Sequence, residues 1–114
     1  MFTFLVPFYF SSIPIISLEN TGAYGGALST DTTSFLSVTS CQFIANKAAA
    51  GGALTSLQNV GPISISNSVF AYNYCPGDGS SSVFAGGAMV LHIVSGKVDI
   101  SNSTFLENLA VSGK

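Results

Sequence analysis

Few side chains in this sequence could take part in acid–base, nucleophilic or metal chemistry. The chain has five carboxylates, one histidine (His92) and three lysines, and it contains no arginine. Two carboxylates about 5 to 9.5 Å apart could hydrolyse a glycosidic bond, and a carboxylate that bonds His92 could form a general acid–base pair. The carboxylates are Glu19, Asp31, Asp78, Asp99 and Glu107.

The two cysteines, Cys41 and Cys75, are too few for a disulfide framework. They also lack the paired spacing of a zinc site, so we expect neither a metal nor another cofactor. We interpret Cys41 as a small buried residue. A disulfide would require Cα atoms within about 7 Å of each other, and the sequence leaves the redox state of the pair open.

The composition excludes one class of partner and favours an ordered chain. Charged residues make up 7% of the sequence, the net charge is −2, and 47% of the residues are hydrophobic. Three scattered lysines cannot neutralise a run of phosphates, so we expect no nucleic-acid binding. Leu, Ile, Val and Phe together supply 35 residues, which is enough apolar material for a buried core.

Two short motifs recur three times each and keep a fixed phase. One is Gly-Gly-Ala followed by a bulky apolar residue, and the other is Phe-x-x-Asn; 18 or 19 residues separate the first glycine from the phenylalanine. Constant phase indicates an internal repeat. The motifs are Gly25, Gly26 and Ala27 with Phe43 and Asn46; Gly51, Gly52 and Ala53 with Phe70 and Asn73; and Gly86, Gly87 and Ala88 with Phe105 and Asn108.

The repeats consist of short strands. Residues 63–66 (Ile-Ser-Ile-Ser) and 98–101 (Val-Asp-Ile-Ser) alternate apolar and polar side chains, which is typical of a strand with one buried face. The repeat length is 26 to 27 residues, and the Asn-Gly dipeptide, a strong signal for a hairpin between antiparallel neighbours, is missing. We therefore predict an all-β fold, a parallel β-helix in which each strand pairs with its counterpart one coil later. Antiparallel hairpins of a small sandwich are the alternative, but they do not explain the phase.

In a parallel β-helix, equivalent side chains of successive coils stack in columns. We expect Asn20, Asn46, Asn73 and Asn108 to form a ladder at one turn, where each amide bonds the next and the backbone is left-handed. We expect the three motif phenylalanines to stack inside. The second glycine of each motif should lie at a sharp bend.

The same alignment separates the candidate catalytic residues. Glu19 and Glu107 share a column but lie three coils apart, roughly 14 Å at the spacing between strands. Asp31 aligns with His92 from two coils away, beyond hydrogen-bond reach. We expect His92 to face outward because Leu91 and Ile93 should face inward. The sequence therefore predicts no catalytic site in this segment, and we expect that the chain is not an enzyme.

One insertion interrupts the repeat. The second and third Gly-Gly-Ala motifs are 35 residues apart, and the extra length falls in residues 74–85, which contain Pro-Gly-Asp-Gly, a sequence typical of turns. Solenoid proteins often bind through such loops. Tyr72, Tyr74 and Asp78 are therefore candidate recognition residues, and a loop without a binding role is the alternative.

A glycosylation acceptor sequence, Asn102-Ser103-Thr104, also lies within the repeats. Its position in the alignment favours a structural interpretation.

The repeats resemble those of the chlamydial polymorphic membrane proteins, which pair Gly-Gly-Ala-(Ile, Leu or Val) with Phe-x-x-Asn. The resemblance covers about residues 18–113 and includes three copies of each motif in phase. It implies a right-handed parallel β-helix. In the chlamydial proteins that fold is a surface-exposed adhesin passenger of an autotransporter, so the resemblance implies a secreted, cell-surface or outer-membrane location.

The two ends of the sequence differ from the repeats. Residues 1–17 are strongly apolar and carry no lysine, and we interpret them as a degenerate strand or a leader. Asn20 precedes Gly25 as Asn46 precedes Gly51, so we expect the repeats to start near Leu18 and to fill residues 18–114. A fourth Gly-Gly-Ala is missing at the end, which suggests a fragment of a longer array with three to four coils here.

Two classes of function follow. The first is a structural or binding module of a surface-exposed β-helix, whose partners are further coils, through the same chain or through self-association of open ends, or a host or cell-surface protein or glycan. The second is a non-catalytic part of a carbohydrate-active β-helix enzyme, a lyase or hydrolase. A truncated fragment without function is a third possibility.

Overall fold

The computed structural model describes residues 2–4, 8–10, 15–18, 20–22, 24–31, 35–76 and 86–111. Within these ranges the chain forms sixteen β-strands and no helix. The strands fall into four consecutive units of four.

Each unit contributes its strands in the same order. Unit 1 contains β1 (Phe2–Phe4), β2 (Phe8–Phe10), β3 (Ile15–Leu18) and β4 (Thr21–Gly22). Unit 2 contains β5 (Leu28–Asp31), β6 (Leu36–Thr39), β7 (Cys41–Ile44) and β8 (Lys47–Ala48). Unit 3 contains β9 (Leu54–Leu57), β10 (Ile63–Ser66), β11 (Val69–Ala71) and β12 (Tyr74–Cys75). Unit 4 contains β13 (Met89–His92), β14 (Val98–Ser101), β15 (Thr104–Leu106) and β16 (Leu109–Ala110).

The strands form four parallel sheets, each built from one strand of every unit. The sheet orders are β1-β5-β9-β13, β2-β6-β10-β14, β3-β7-β11-β15 and β4-β8-β12-β16. Every strand therefore pairs with its counterpart in the unit before or after it. The fold is all-β, with parallel strands in stacked sheets.

The strand registers confirm the columns read from the sequence. Ile63 pairs with Leu36 on one side and with Val98 on the other, and Phe70 pairs with Phe43 and Phe105. The observed pairs are all parallel, so the hairpin alternative is wrong.

The stacked strands begin earlier than the motifs do. We expected the repeats to start near Leu18, but β1, β2 and β3 already pair with β5, β6 and β7. The register sets Phe8 opposite Leu36 and Phe10 opposite Val38. This unit lacks both motifs, so a search for motifs could not find it.

The core lies between the sheets and is built from apolar columns. Ile63 and Ile65 are fully buried, whereas Ser64 between them is exposed. The same alternation places Leu36 and Val38 in the core. The core cluster comprises Ala27, Leu28, Leu36, Val38, Cys41, Phe43, Ala53, Leu54, Ile63, Ile65 and Phe70.

The corners between strands repeat from unit to unit. A residue with positive φ follows the second strand at Ser40, Asn67 and Asn102, and another follows the third strand at Ala45, Tyr72 and Glu107. We expected the ladder asparagines themselves to be left-handed. The left-handed position is instead the one before Asn46, Asn73 and Asn108, which leaves these amides able to point inward.

A positive-φ residue also follows the first strand of units 3 and 4, at Gln58 and Ile93. Ile93 is 62% exposed, so the prediction that it faces inward is wrong. The alternation stops at His92, because the left-handed residue turns the chain away from the sheet. Leu91 does pack against the core, and His92 is half-buried.

The second glycine of each motif permits a close approach between units. A Cβ on Gly52 would overlap the carbonyl oxygen of Gly87 and lie 2.8 Å from the amide nitrogen of Tyr74. Likewise, a Cβ on Gly26 would overlap the carbonyl oxygen of Gly52. Backbone atoms that cannot move independently occupy the space of a side chain here, so glycine is required by packing.

Candidate functional site

Four asparagines form a hydrogen-bonded ladder that runs through all four units. The Oδ1 atom of Asn73 accepts from the backbone N–H and from the Nδ2 of Asn46, both at 3.0 Å. Asn46 accepts in the same way from Asn20, and Asn108 accepts from Asn73. The predicted ladder is therefore present, and each step carries two bonds.

The ladder also holds the backbone of the preceding turn. The Nδ2 of Asn73 donates to the carbonyl oxygen of Phe43 at 2.9 Å, and the Nδ2 of Asn108 donates to that of Phe70 at 2.8 Å. Asn46 and Asn73 are fully buried. Because every bond between two asparagines runs from one unit to the Oδ1 of the next, the ladder has a direction along the stack.

The motif phenylalanines stack beside this ladder. The ring centroids of Phe43 and Phe70 are 4.7 Å apart, those of Phe70 and Phe105 are 5.0 Å apart, and the interplanar angles are 15° and 3°. The first two rings are buried, whereas Phe105 is 44% exposed. These spacings match the distance between neighbouring strands, so parallel pairing alone sets the stack.

A second ladder lies at the corner between the second and third strands. The backbone N–H of Cys41 donates to the Oγ of Ser68 at 3.1 Å, and that of Ser68 donates to the Oγ of Ser103 at 3.2 Å. Each side chain donates in turn to a carbonyl two residues earlier, that of Thr39, Ser66 or Ser101. Cys41 is buried as expected, but it also takes part in this ladder, which the sequence interpretation missed. The shared column of Cys41, Ser68 and Ser103 was the available signal.

The structure places the candidate recognition residues Tyr72 and Tyr74 in different surroundings. Tyr72 is 51% exposed at a left-handed corner. Tyr74 belongs to β12, pairs with Lys47 across units, and has the Lys47 ammonium 5.8 Å from its ring centroid. This distance suits a cation–π contact. The third candidate, Asp78, and most of the insertion lie outside the described residues.

The described carboxylates do not converge. Asp31 and His92 both pair with Leu57, which stands between them. The Oδ2 of Asp99 lies 3.8 Å from the Nζ of Lys97, and both side chains are exposed. Glu107 occupies a corner, and Glu19 lies outside the described residues.

The described ranges contain no group of three or more histidine, cysteine or acidic residues suited to a metal ion. Within the same ranges, no helix has the length and hydrophobicity that a membrane crossing requires.

The cysteines and the glycosylation sequence are also separate features. Cys41 and Cys75 are both buried and are not joined in a disulfide, and the Sγ of Cys75 donates to the carbonyl oxygen of Ala49. Asn102 is exposed at a left-handed corner. We expected the glycosylation sequence to lie within the repeat structure. Ser103 does lie there, as part of the second ladder, but Asn102 faces solvent.

The final unit exposes the side chains that are buried in the units before it. Val98 and Ile100 are 40% and 43% exposed, whereas their counterparts Ile63 and Ile65 are fully buried. The strands β13, β14, β15 and β16 are also the outer strands of their sheets. We call this surface, which contains Val98, Ile100, Phe105 and Leu109, the open end.

Comparison of the chain with known protein families, curated proteins and solved structures found no match.

Proposed function

We propose that this chain forms coils of a right-handed parallel β-helix of the chlamydial polymorphic membrane protein type. Four parallel sheets with one strand per unit support this interpretation. The asparagine ladder and the phenylalanine stack support it further, because they occur where the repeat motifs align.

The proposed function is that of a structural and binding module in a secreted or surface-exposed, adhesin-like protein. The observation that carries it is the in-register stacking of identical side chains, which fixes a rigid outer surface. On the sheet of β6, β10 and β14, that outer face carries five hydroxyls and one carboxylate: Ser37, Thr39, Ser64, Ser66, Ser101 and Asp99. A face of small polar side chains suits hydrogen bonding to a glycan or to a polar protein surface.

We propose no catalytic role for this segment. The described carboxylates lie in separate columns, and Leu57 stands between Asp31 and His92. A segment that holds its shape without converging acid–base groups fits binding better than bond cleavage.

Tyr72 is the residue that we expect to contribute most to binding. An exposed aromatic side chain at a rigid corner is a common anchor in protein interfaces. The equivalent corner of unit 2 is Ala45, which has a similar φ of 57° against 56° for Tyr72. Tyr72→Ala should therefore keep the fold.

The test is binding of the labelled chain to host cells and to a glycan array. We expect saturable binding that Tyr72→Ala weakens at least about tenfold, or about 1.4 kcal/mol. Tyr24→Ala is the matched control, because Tyr24 is also 51% exposed. Absence of saturable binding, or an equal loss in both variants, would contradict the proposal. Binding confined to polymeric polysaccharide would favour the carbohydrate-active alternative.

A further inference from the structure

We propose that Asn102 is an N-glycosylation acceptor, so that the corner after β14 carries a glycan on the outer surface of the stack. The inference rests on the proposed secreted or surface-exposed location, because this modification is made on chains that enter a secretory pathway. It adds a site of covalent modification to the proposed binding module.

Asn102 combines two properties that no other asparagine of the chain combines. It alone is followed two positions later by a serine or threonine, Thr104, which is the pattern that an acceptor asparagine requires. It is also exposed, as is Asn67. The structure describes every asparagine of the chain, and the remaining ones are buried or half-buried: Asn20, Asn46, Asn59, Asn73 and Asn108.

The exposure of Asn102 is a property of this corner and does not depend on the last unit being uncovered. Asn67 occupies the equivalent corner of unit 3, which lies between units 2 and 4, and it is exposed as well. The two residues have φ angles of 51° and 46°. The backbone N–H of Asn67 donates to the carbonyl oxygen of Ser101 in unit 4 at 3.2 Å. The main chain therefore makes the contact between units here, and a further unit on unit 4 would leave the Asn102 amide accessible.

The middle residue of the acceptor sequence, Ser103, serves the fold without blocking the modification. Its Oγ accepts from the backbone N–H of Ser68 at 3.2 Å and donates to the carbonyl oxygen of Ser101 at 2.8 Å. An acceptor sequence requires of its middle residue only that it is not proline. The second ladder and a glycan on the neighbouring asparagine are therefore compatible.

Thr104 faces outward, and stacking alone does not explain its hydroxyl. It shares a column with Val69 and Gln42, and Gln42 is exposed although unit 2 lies between two other units. Valine and glutamine show that this column needs no hydroxyl. Positive φ favours asparagine at the corner, but Asn67 meets that requirement without an acceptor sequence. Glycosylation accounts for both residues of the pattern.

The reaction joins the Nδ2 of Asn102 to the anomeric carbon of an oligosaccharide. The donor is an oligosaccharide linked to a lipid diphosphate, and the catalyst is a transferase of the secretory pathway. The bond between the anomeric carbon and the diphosphate oxygen breaks, the diphosphate leaves with the bonding electron pair, and the amide nitrogen gives up one proton. Only 7% of the residues are charged, so a hydrated glycan also supplies solubility that surface charge provides in other proteins.

The test is secretion of the full chain, behind a cleavable leader, from cultured animal cells. Mass spectrometry before and after peptide N-glycosidase treatment should show a single glycan and the conversion of Asn102 to aspartate. Thr104→Val should abolish the glycan, and it is a mild change because Val69 already occupies this column. Val69→Thr is the matched gain of an acceptor sequence and should add a second glycan, at Asn67.

Urea unfolding shows whether the folded chain accommodates the glycan. The midpoint of the glycosylated chain should equal or exceed that of the same chain after enzymatic removal of the glycan. A secreted chain without a glycan, a glycan that persists in Thr104→Val, or a lower midpoint in the glycosylated chain would each overturn the inference. Saturable binding of the unglycosylated chain to cells would show that the proposed function survives such a failure, whereas a glycosylated chain that does not bind would contradict the proposed function alone.

Discussion

The asparagine ladder leads to the sharpest prediction, the effect of Asn73→Ala. This substitution removes the Oδ1 acceptor of two Asn46 donors, at 3.0 Å each, and the Nδ2 donor to the carbonyl oxygen of Phe43 at 2.9 Å. Asn46 and Asn73 are fully buried, so water cannot replace these partners without opening the stack.

Each buried polar group that loses its partner costs about 1 to 3 kcal/mol. With three such groups, we expect Asn73→Ala to reduce the free energy of unfolding by about 3 to 9 kcal/mol. That loss is comparable with the whole stability of many domains. Asn108→Ala should cost only about 1 kcal/mol, because the open end admits water to the groups left behind.

Urea unfolding followed by circular dichroism measures the difference. If the free energy of unfolding falls by about 1.5 kcal/mol per molar urea, Asn73→Ala should lower the urea midpoint of unfolding by at least about 2 M. A larger loss would leave the chain unfolded in water. If Asn73→Ala lowers the free energy of unfolding by less than about 1 kcal/mol, or by as much as Asn108→Ala does, the argument from buried, directional bonds is refuted.

Three further predictions concern the other columns. Phe70→Leu should destabilise the chain by about 1 to 3 kcal/mol through lost stacking and a cavity, whereas Phe105→Leu at the open end should cost less than 1 kcal/mol or so; urea midpoints of the pair provide the check. Gly52→Ala should cost at least about 2 kcal/mol, because its Cβ would overlap backbone atoms, and a melting temperature equal to that of the unchanged chain would contradict this. Cys41→Ser should be tolerated within about 1 kcal/mol, because Ser68 makes the same ladder bonds one unit later; thiol titration should then detect one buried thiol, reactive only after unfolding.

The sequence predicts most of the stacking, because the repeat can be read directly from the spacing of its motifs. Two motifs in constant phase determined which strands pair, and the registers of Ile63 and Phe70 agree. Side chains that recur at the same place in each repeat stack when successive units have the same outline, so no knowledge of energies was needed.

Local geometry was harder to predict. The left-handed corners carry Ala45, Tyr72 and Glu107, residue types without a shared preference for positive φ, so only the ladder bonds beside them explain the conformation. The repeat pattern shows the asparagine and not the residue before it. The left-handed conformation was therefore predicted one position too late in the chain.

The first unit illustrates another limit. It has neither Gly-Gly-Ala nor Phe-x-x-Asn, yet β2 pairs with β6 in register. Its many apolar residues are compatible with buried strands, but apolar residues near a chain start are also typical of a leader. Sequence alone offers no physical criterion between the two, because both require hydrophobic side chains.

The second ladder shows why polar columns are easily missed. Cys41 differs in type from Ser68 and Ser103, but each of the three accepts or donates at the same corner. A small side chain with one hydrogen-bonding atom suffices there, so the constraint leaves a weaker mark in the sequence than an invariant asparagine.

Nuclear Overhauser contacts in an isotope-labelled chain test the central claim, the in-register stacking of the units, most directly. We predict contacts between the rings of Phe43 and Phe70 and of Phe70 and Phe105, together with contacts between the side-chain amides of Asn46 and Asn73. Cross-strand contacts that instead join β9 to β10 within one unit, with none between the phenylalanine rings, would contradict the stacked parallel arrangement.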